Sequence, residues 1–234
     1  GTRGIGLASA LRYSSDDTKI ILTYKDNYKF AKVAKSEMLK VHKDFHIIKC
    51  DTNKKKELDE LATFLKRGRL KVKSLINNQG STRYEKIKLK NIDIDLFREM
   101  LETNLVSHLK IINLVLPFMK KGGSIINVSS IASINGKGSN MGYCASKSAL
   151  DSVTRSLAHS LSPKIRVNSI CPGLTKTDMT KKAPLSYIKN QIDITPLQRL
   201  ATSNDIANTI YSIAEQNTFI NGQSIVVDGG RLLN

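Results

Sequence analysis

The chain has 234 residues, of which 40% are hydrophobic, enough for one globular domain with a sizeable core. It holds no run of eighteen apolar residues and opens on no signal-peptide pattern, so neither a membrane partner nor a secreted scaffold is expected. A formal charge of +17 invites a nucleic-acid reading, but the basic residues at Lys54–Lys56, Lys66–Lys73 and Arg83–Lys90 lack interleaved aromatics and any nucleic-acid motif, so a solvated lysine-rich surface is expected instead.

The opening string Gly1-Thr2-Arg3-Gly4-Ile5-Gly6 is a glycine-rich turn, and Ile5 to Tyr13 reads as the helix that it opens. Such a turn normally follows a strand, so a strand and turn of about ten residues are expected ahead of Gly1. Lys19 to Thr23 reads as a strand, Tyr28 to Val41 as an amphipathic helix, and Phe45 to Cys50 as a strand. Leu58 to Leu65 is helical and stops near Gly68; Val72 to Asn77 is a strand running into Asn78-Gln79-Gly80. A long helix is expected from Ile94 to Leu116, with Pro117 near its end. The strand Ile125–Val128, the helix Met141–Leu161 and the strand Ile165–Ile170 follow. A Pro-Gly loop leads to a helix with Ser203 as its expected N-cap, and Ser224–Val227 is the last strand, running into Asp228-Gly229-Gly230.

Strands alternate with helices throughout. That predicts an α/β fold: a Rossmann-like doubly wound parallel sheet in three α/β/α layers, forming a single domain over residues 1–234 with its first strand missing from the given residues. Cys50, Cys144 and Cys171 are few, odd in number and widely spaced, so reduced thiols in the cytoplasm are expected rather than disulfides or a metal site. The four histidines form no metal-like cluster; His108 is expected to be a packed or interfacial residue.

The richest segment is Ser124 to Lys147. A short strand delivers Ser129 and Ser130 into a Gly/Asn/Ser-rich loop, and a helix then carries Tyr143 and Lys147. Tyr and Lys four apart share a helix face, and an ammonium near a phenol lowers a pKa that starts near ~10. Tyr143 is therefore a candidate general acid, with Ser130 placed to hold a substrate oxygen from the other side. The same spacing recurs at Tyr28/Lys32 and Tyr84/Lys88, in a chain rich in lysine; the setting of strand, serine loop and helix start distinguishes Tyr143. Strand alternation favours Ser130 over Ser129, whose hydroxyl is expected to cap the loop.

In their order and separation, Ser130, Tyr143 and Lys147 resemble the catalytic residues of the short-chain dehydrogenase/reductase family, and the resemblance covers nearly the whole chain. It implies that Lys147 also holds the nicotinamide ribose. It also implies that Asn104, in Glu-Thr-Asn-Leu-Val-Ser, supports a water leading protons to the lysine. Gly4, Ile5 and Gly6 match the later part of the family's phosphate turn, preceded by Arg3 as a cation that with Lys25 favours NADPH, and Asn78 and Gly80 match its Asn-Asn-Ala-Gly signature, with Gln79 as a departure. Asp51 and Thr52 resemble the adenine-contacting pair. Pro172, Gly173, Thr175 and Thr177 resemble the segment over the nicotinamide. Tyr24 stands where relatives that use NAD place Asp, with Lys25 next to it, so NADPH/NADP is expected over NADH.

The implied activity is hydride transfer to a ketone, with Tyr143 donating the proton. Thr177-Asp178-Met179, Pro196-Leu197-x-Arg199 and the overall length are most like 3-oxoacyl-(acyl-carrier-protein) reductases of fatty acid biosynthesis, which act on an acyl-carrier-bound ketone. Reductases of sugars, polyols or other small ketones, and a non-catalytic NADP-binding sensor, stay open. A homotetramer is expected: Leu105, Leu109, Ile112 and Leu116 in one helix, Leu150, Val153 and Leu157 in another, and Leu232 and Leu233 at the end read as apolar surface beyond one sheet-facing stripe.

Overall fold

The computed structural model describes residues 1–83, 92–178, 180 and 183–233. Most of the Arg83–Lys90 run, the Tyr84/Lys88 pair and Met179 lie outside the described residues. In chain order the elements are α1 (Gly4–Tyr13), β1 (Ile20–Tyr24), α2 (Tyr28–Val41), β2 (Phe45–Lys49), α3 (Lys55–Arg67), β3 (Val72–Asn77), α4 (Ile94–Leu101) and α5 (Ser107–Val115). Then come β4 (Met119–Val128), α6 (Ala132–Asn135), α7 (Met141–Leu161), β5 (Ile165–Pro172), α8 (Leu185–Asp193), α9 (Ser203–Tyr211) and β6 (Ser224–Val227).

Among the described residues all strand pairs are parallel. One ladder joins β1 to β2, and another runs β3-β4-β5-β6. Parallel neighbours need crossovers, which the helices supply, and those helices cover both sheet faces. The central strands read accordingly as continuous apolar runs, buried from Gly123 to Val128. Ile125 and Ile126 point to opposite faces. Ile126 packs with Val128, Ile170, Ile206 and Ile210 beneath α9; Ile125 packs with Ile112, Ala158 and Val167 beneath α5 and α7.

Among the described residues β1 and β3 belong to separate ladders. Ile21 of β1 and Val72 and Leu75 of β3 share one apolar cluster with Leu61 and Leu65 of α3. The Gly1 amine donates to the Thr23 carbonyl at 2.5 Å, so the glycine-rich turn lies against β1.

Three local expectations are corrected. The helix from Ile94 is not continuous: a π-helical turn, Glu102–Val106, separates α4 from α5, and a 3-10 turn at Leu116–Phe118 follows. Such wide turns recur at functional sites, and this one carries Asn104. The N-cap of α9 is Thr202, one residue before Ser203. Thr202 accepts from the Asp205 N–H at 3.2 Å and its own N–H donates to the Asp205 carboxylate at 2.7 Å, a reciprocal box available only to the hydroxyl with an acid three residues on. Strand β5 continues to Pro172, because Cys171 and Pro172 pair with Val226 and Val227 of β6.

Among the described residues no helix is long and apolar enough to cross a membrane, and no group of His, Cys, Asp and Glu side chains is placed to hold a metal ion.

Candidate active site

The C-terminal ends of β3, β4 and β5 converge with the start of α1, the place where open α/β sheets bind ligands. At the end of β4 the Ser129 N–H donates to the Ile170 carbonyl at 2.7 Å, and the Ser129 hydroxyl donates to the Lys147 carbonyl at 3.3 Å. The hydroxyl that caps the loop is that of Ser130 instead, accepting from the Ala132 N–H at 3.2 Å. Ser129 is thus buried against α7, whereas Ser130 stays partly exposed.

Helix α7 is opened by Asn140, whose side-chain oxygen accepts from the Tyr143 N–H at 2.7 Å. That cap places Tyr143 in the first turn and Lys147 in the second. The Lys147 ammonium donates to the Val128 carbonyl at 2.8 Å and lies 5.9 Å from the Tyr143 ring centroid. Lys147 is only 4% exposed, and burial pulls its pKa down from 10.5 to about 8 against the opposing pull of Asp151.

Asn104 is fully buried. Its oxygen accepts from the Ser81 N–H at 2.9 Å, and its amide donates to the Ser81 carbonyl at 3.1 Å and to the Ser146 hydroxyl at 3.2 Å. It therefore ties the segment after β3 to α7, with a further contact at 3.8 Å to the Met100 sulfur one turn earlier. Gly80 lies between: a Cβ there would stand 3.1 Å from the Asn104 oxygen and 3.6 Å from the Lys147 nitrogen. Asn104, Gly80, Tyr143 and Lys147 thus form one connected group, beside the Ser130 loop. His108 packs fully buried on α5; burial, followed by Lys147, drives its pKa down to about 3. The Cys144 thiol is likewise buried, which pushes its pKa up and makes it a packing residue.

The candidate cofactor residues line a second, adjoining cradle. Gly4 has φ +52°, in the left-handed region that favours glycine, and a Cβ on it would reach the Thr177 methyl at 3.4 Å. A Cβ on Gly6 would stand 2.9 Å from the Asn78 side-chain nitrogen. Arg3 precedes α1 without any side-chain cap, and the first turn, which includes Ile5, carries no acid, so its free N–H groups suit a phosphate. At the end of β2 the Asp51 oxygen accepts from the Asn53 N–H at 3.0 Å, with Thr52 partly buried beside it. The exposed Lys25 ammonium lies 3.6 Å from Asp51, and the Arg3 guanidinium lies 5.3 Å from the Phe30 ring centroid. Past Pro172, the Gly173 N–H donates to the Val227 carbonyl at 2.9 Å, the Thr175 hydroxyl donates to the Gly173 carbonyl, and Thr180 bridges Thr175 and Thr177. Glycines at these close approaches and an uncapped helix start fit a dinucleotide.

Sequence reasoning passed over Asn140, Ser146 and Asp151. Asn140 was legible as an N-cap before a helix; Ser146 and Asp151 became visible only once the helix face was known. The expected apolar surface is largely spent within the subunit: Ile112 and Leu150 are buried, and Leu116 and Leu157 pack on the core around Ile125. Leu105, Leu109 and Val153 keep intermediate exposure, and Leu233 is 85% exposed.

Comparison with known proteins places this architecture. Residues 1–231 match the family profile described as enoyl-(acyl carrier protein) reductase. The 3-oxoacyl-(acyl-carrier-protein) reductase of Thermotoga maritima is 31% identical, over 98% of this chain and 94% of that protein. The 7alpha-hydroxysteroid dehydrogenase of Paraclostridium sordellii is 30% identical, over 98% and 88%. A solved variant of a Serratia marcescens short-chain dehydrogenase/reductase superposes with a TM-score of 0.89 at 26% identity, covering 99% of this chain and 94% of that one. The chain belongs to the short-chain dehydrogenase/reductase family. It is accordingly an oxidoreductase acting on CH–OH and C=O groups with a nicotinamide cofactor.

Proposed function

We propose that the protein is an NADPH-dependent carbonyl reductase whose substrate is a 3-oxoacyl thioester on acyl carrier protein. The observation that carries the reading is the buried Lys147 ammonium, held on the Val128 carbonyl beside Tyr143, with Ser130 on the adjoining strand end. A bound reduced nicotinamide supplies the hydride. The hydroxyls of Ser130 and Tyr143 hydrogen-bond to the ketone oxygen as negative charge develops there, and Tyr143 gives up its proton. The Lys147 charge favours the phenolate left behind, and Asn104 holds the neighbouring end of β3, and any water there, in register with the lysine.

The preference for NADPH is supported by the absence of an acid at Tyr24 and by exposed cations at Arg3 and Lys25. The carrier-bound substrate is supported by the Thermotoga maritima relative and by the basic surface, which suits an acidic carrier. Buried free thiols at Cys50, Cys144 and Cys171 support a reducing compartment such as the cytoplasm. The exposed Leu233 and the partly exposed faces of α5 and α7 support a homotetramer. A second reading, oxidoreduction of a hydroxysteroid, is favoured by the Paraclostridium sordellii relative and by the exposed apolar side chains Ile134, Met141 and Leu185 on α6, α7 and α8. NADPH oxidation followed optically over a panel of acetoacetyl thioester, ethyl acetoacetate and 7-oxosteroid decides between them. Turnover confined to the steroid rejects the thioester reading.

A further inference from the structure

We propose that Asp151 is a positioning residue for the reaction, a carboxylate built into the core to hold Lys147 in its charged form. The proposal rests on the reading of Lys147 as the partner of Tyr143. Asp151 is 5% exposed and lies one helical turn beyond Lys147 on the same inward face of α7. Its oxygen accepts from the Ser169 hydroxyl at 2.7 Å; Ser169 lies 3.0 Å from the Ser224 hydroxyl; and the Cys171 sulfur stands 3.7 Å from the other carboxylate oxygen. These donors are neutral. A carboxylate buried among hydroxyls and a thiol is expensive unless a cation faces it, and a buried ammonium has the mirror-image need.

Among the described residues, the titratable groups facing this pair are few. Cys171 on β5 is pushed up to about 11 by burial and stays protonated; His108 on α5 is neutral. On α7 itself the others are Tyr143 and the buried Cys144 thiol, whose pKa burial pushes up, with Arg155 exposed one turn further on. Strands β4 and β6 and helix α6 bring the hydroxyls of Ser129, Ser224 and Ser133. Asp151 is therefore the charge that counters the burial of Lys147, first among the groups that raise its pKa.

The test is the pH dependence of ethyl acetoacetate reduction by NADPH in the wild type, Asp151→Asn, Ser169→Ala and Lys147→Met. Asp151→Asn keeps an oxygen to accept from Ser169 and removes only the charge. Its alkaline limb should fall by about one pH unit with NADPH binding retained, while Ser169→Ala leaves the limb in place. Urea stability supplies a second reading should Asp151→Asn fold poorly: its deficit should be largest below pH 8 and shrink above it, as Lys147 loses its proton. A limb unmoved in Asp151→Asn, or a deficit that does not vary with pH, overturns the assignment. A Lys147→Met protein that keeps its turnover overturns the underlying role of Lys147 itself.

Discussion

Replacing Lys147 by methionine and Asp151 by asparagine together, which leaves no unpaired charge in the core, should make the cofactor-free protein more stable at neutral pH while abolishing turnover. Burial lowers the Lys147 pKa from 10.5 to about 8. At ~1.4 kcal/mol per pH unit, holding the charge in the core costs the fold about 3 kcal/mol. Methionine fills a similar volume but gives up the 2.8 Å hydrogen bond to the Val128 carbonyl, a loss of about 1–2 kcal/mol. A net gain of about 1–2 kcal/mol remains. The pH dependence fixes the cause. Because the folded pKa lies below the unfolded one, both states bind the proton below pH 8, and the wild type carries the full penalty there. Between pH 8 and 10.5 the unfolded chain binds more protons, so the wild type gains stability as pH rises and the advantage of the variant shrinks. Urea midpoints of both proteins at pH 7 and pH 9.5 measure this. A variant less stable than wild type at pH 7, or a difference equal at both pH values, would refute the reasoning.

Tyr143→Phe keeps the ring and removes the proton donor, so reduction should slow by about 10²–10⁴-fold with NADPH binding, read by cofactor fluorescence, near wild type; retention of most turnover removes Tyr143 from the chemistry. Lys25→Asp should move the NADPH/NADH ratio of kcat/KM toward NADH, by placing an acid near the ribose beside Asp51; an unchanged ratio assigns phosphate recognition to Arg3. Light scattering at micromolar concentration should give four times the 25.9 kDa chain mass, and a monodisperse monomer rejects the tetramer.

The parts of the fold legible in sequence were those where one periodicity governs: α2, β3, α7 and β6 fall where the apolar spacing and flanking residues put them. The candidate site rests on the same kind of signal, a strand end and a helix start that bracket Ser130, Tyr143 and Lys147. The π turn was hidden, because an extra residue in one turn leaves the apolar spacing of the Ile94–Leu116 segment almost unchanged. Thr202 and Ser203 both offer capping hydroxyls, and only the reach to Asp205 separates them. Helix α8 starts after Pro184 in a loop whose Pro-Gly content reads as irregular. Asp151 was missed because an acid on a helix ordinarily faces water; its burial follows from the hydroxyls of Ser169 and Ser224, which only the sheet brings beneath it.

The most direct test of the account is the fate of the transferred hydrogen. Acetoacetyl thioester incubated with the protein and NADPH deuterated at the reactive nicotinamide carbon should yield a 3-hydroxyacyl thioester carrying one deuterium on C3, as read by mass spectrometry, with the rate of labelling lowered about 10²–10⁴-fold in Tyr143→Phe. Tight NADPH binding with no labelled alcohol from the thioester would contradict the proposed carbonyl reductase.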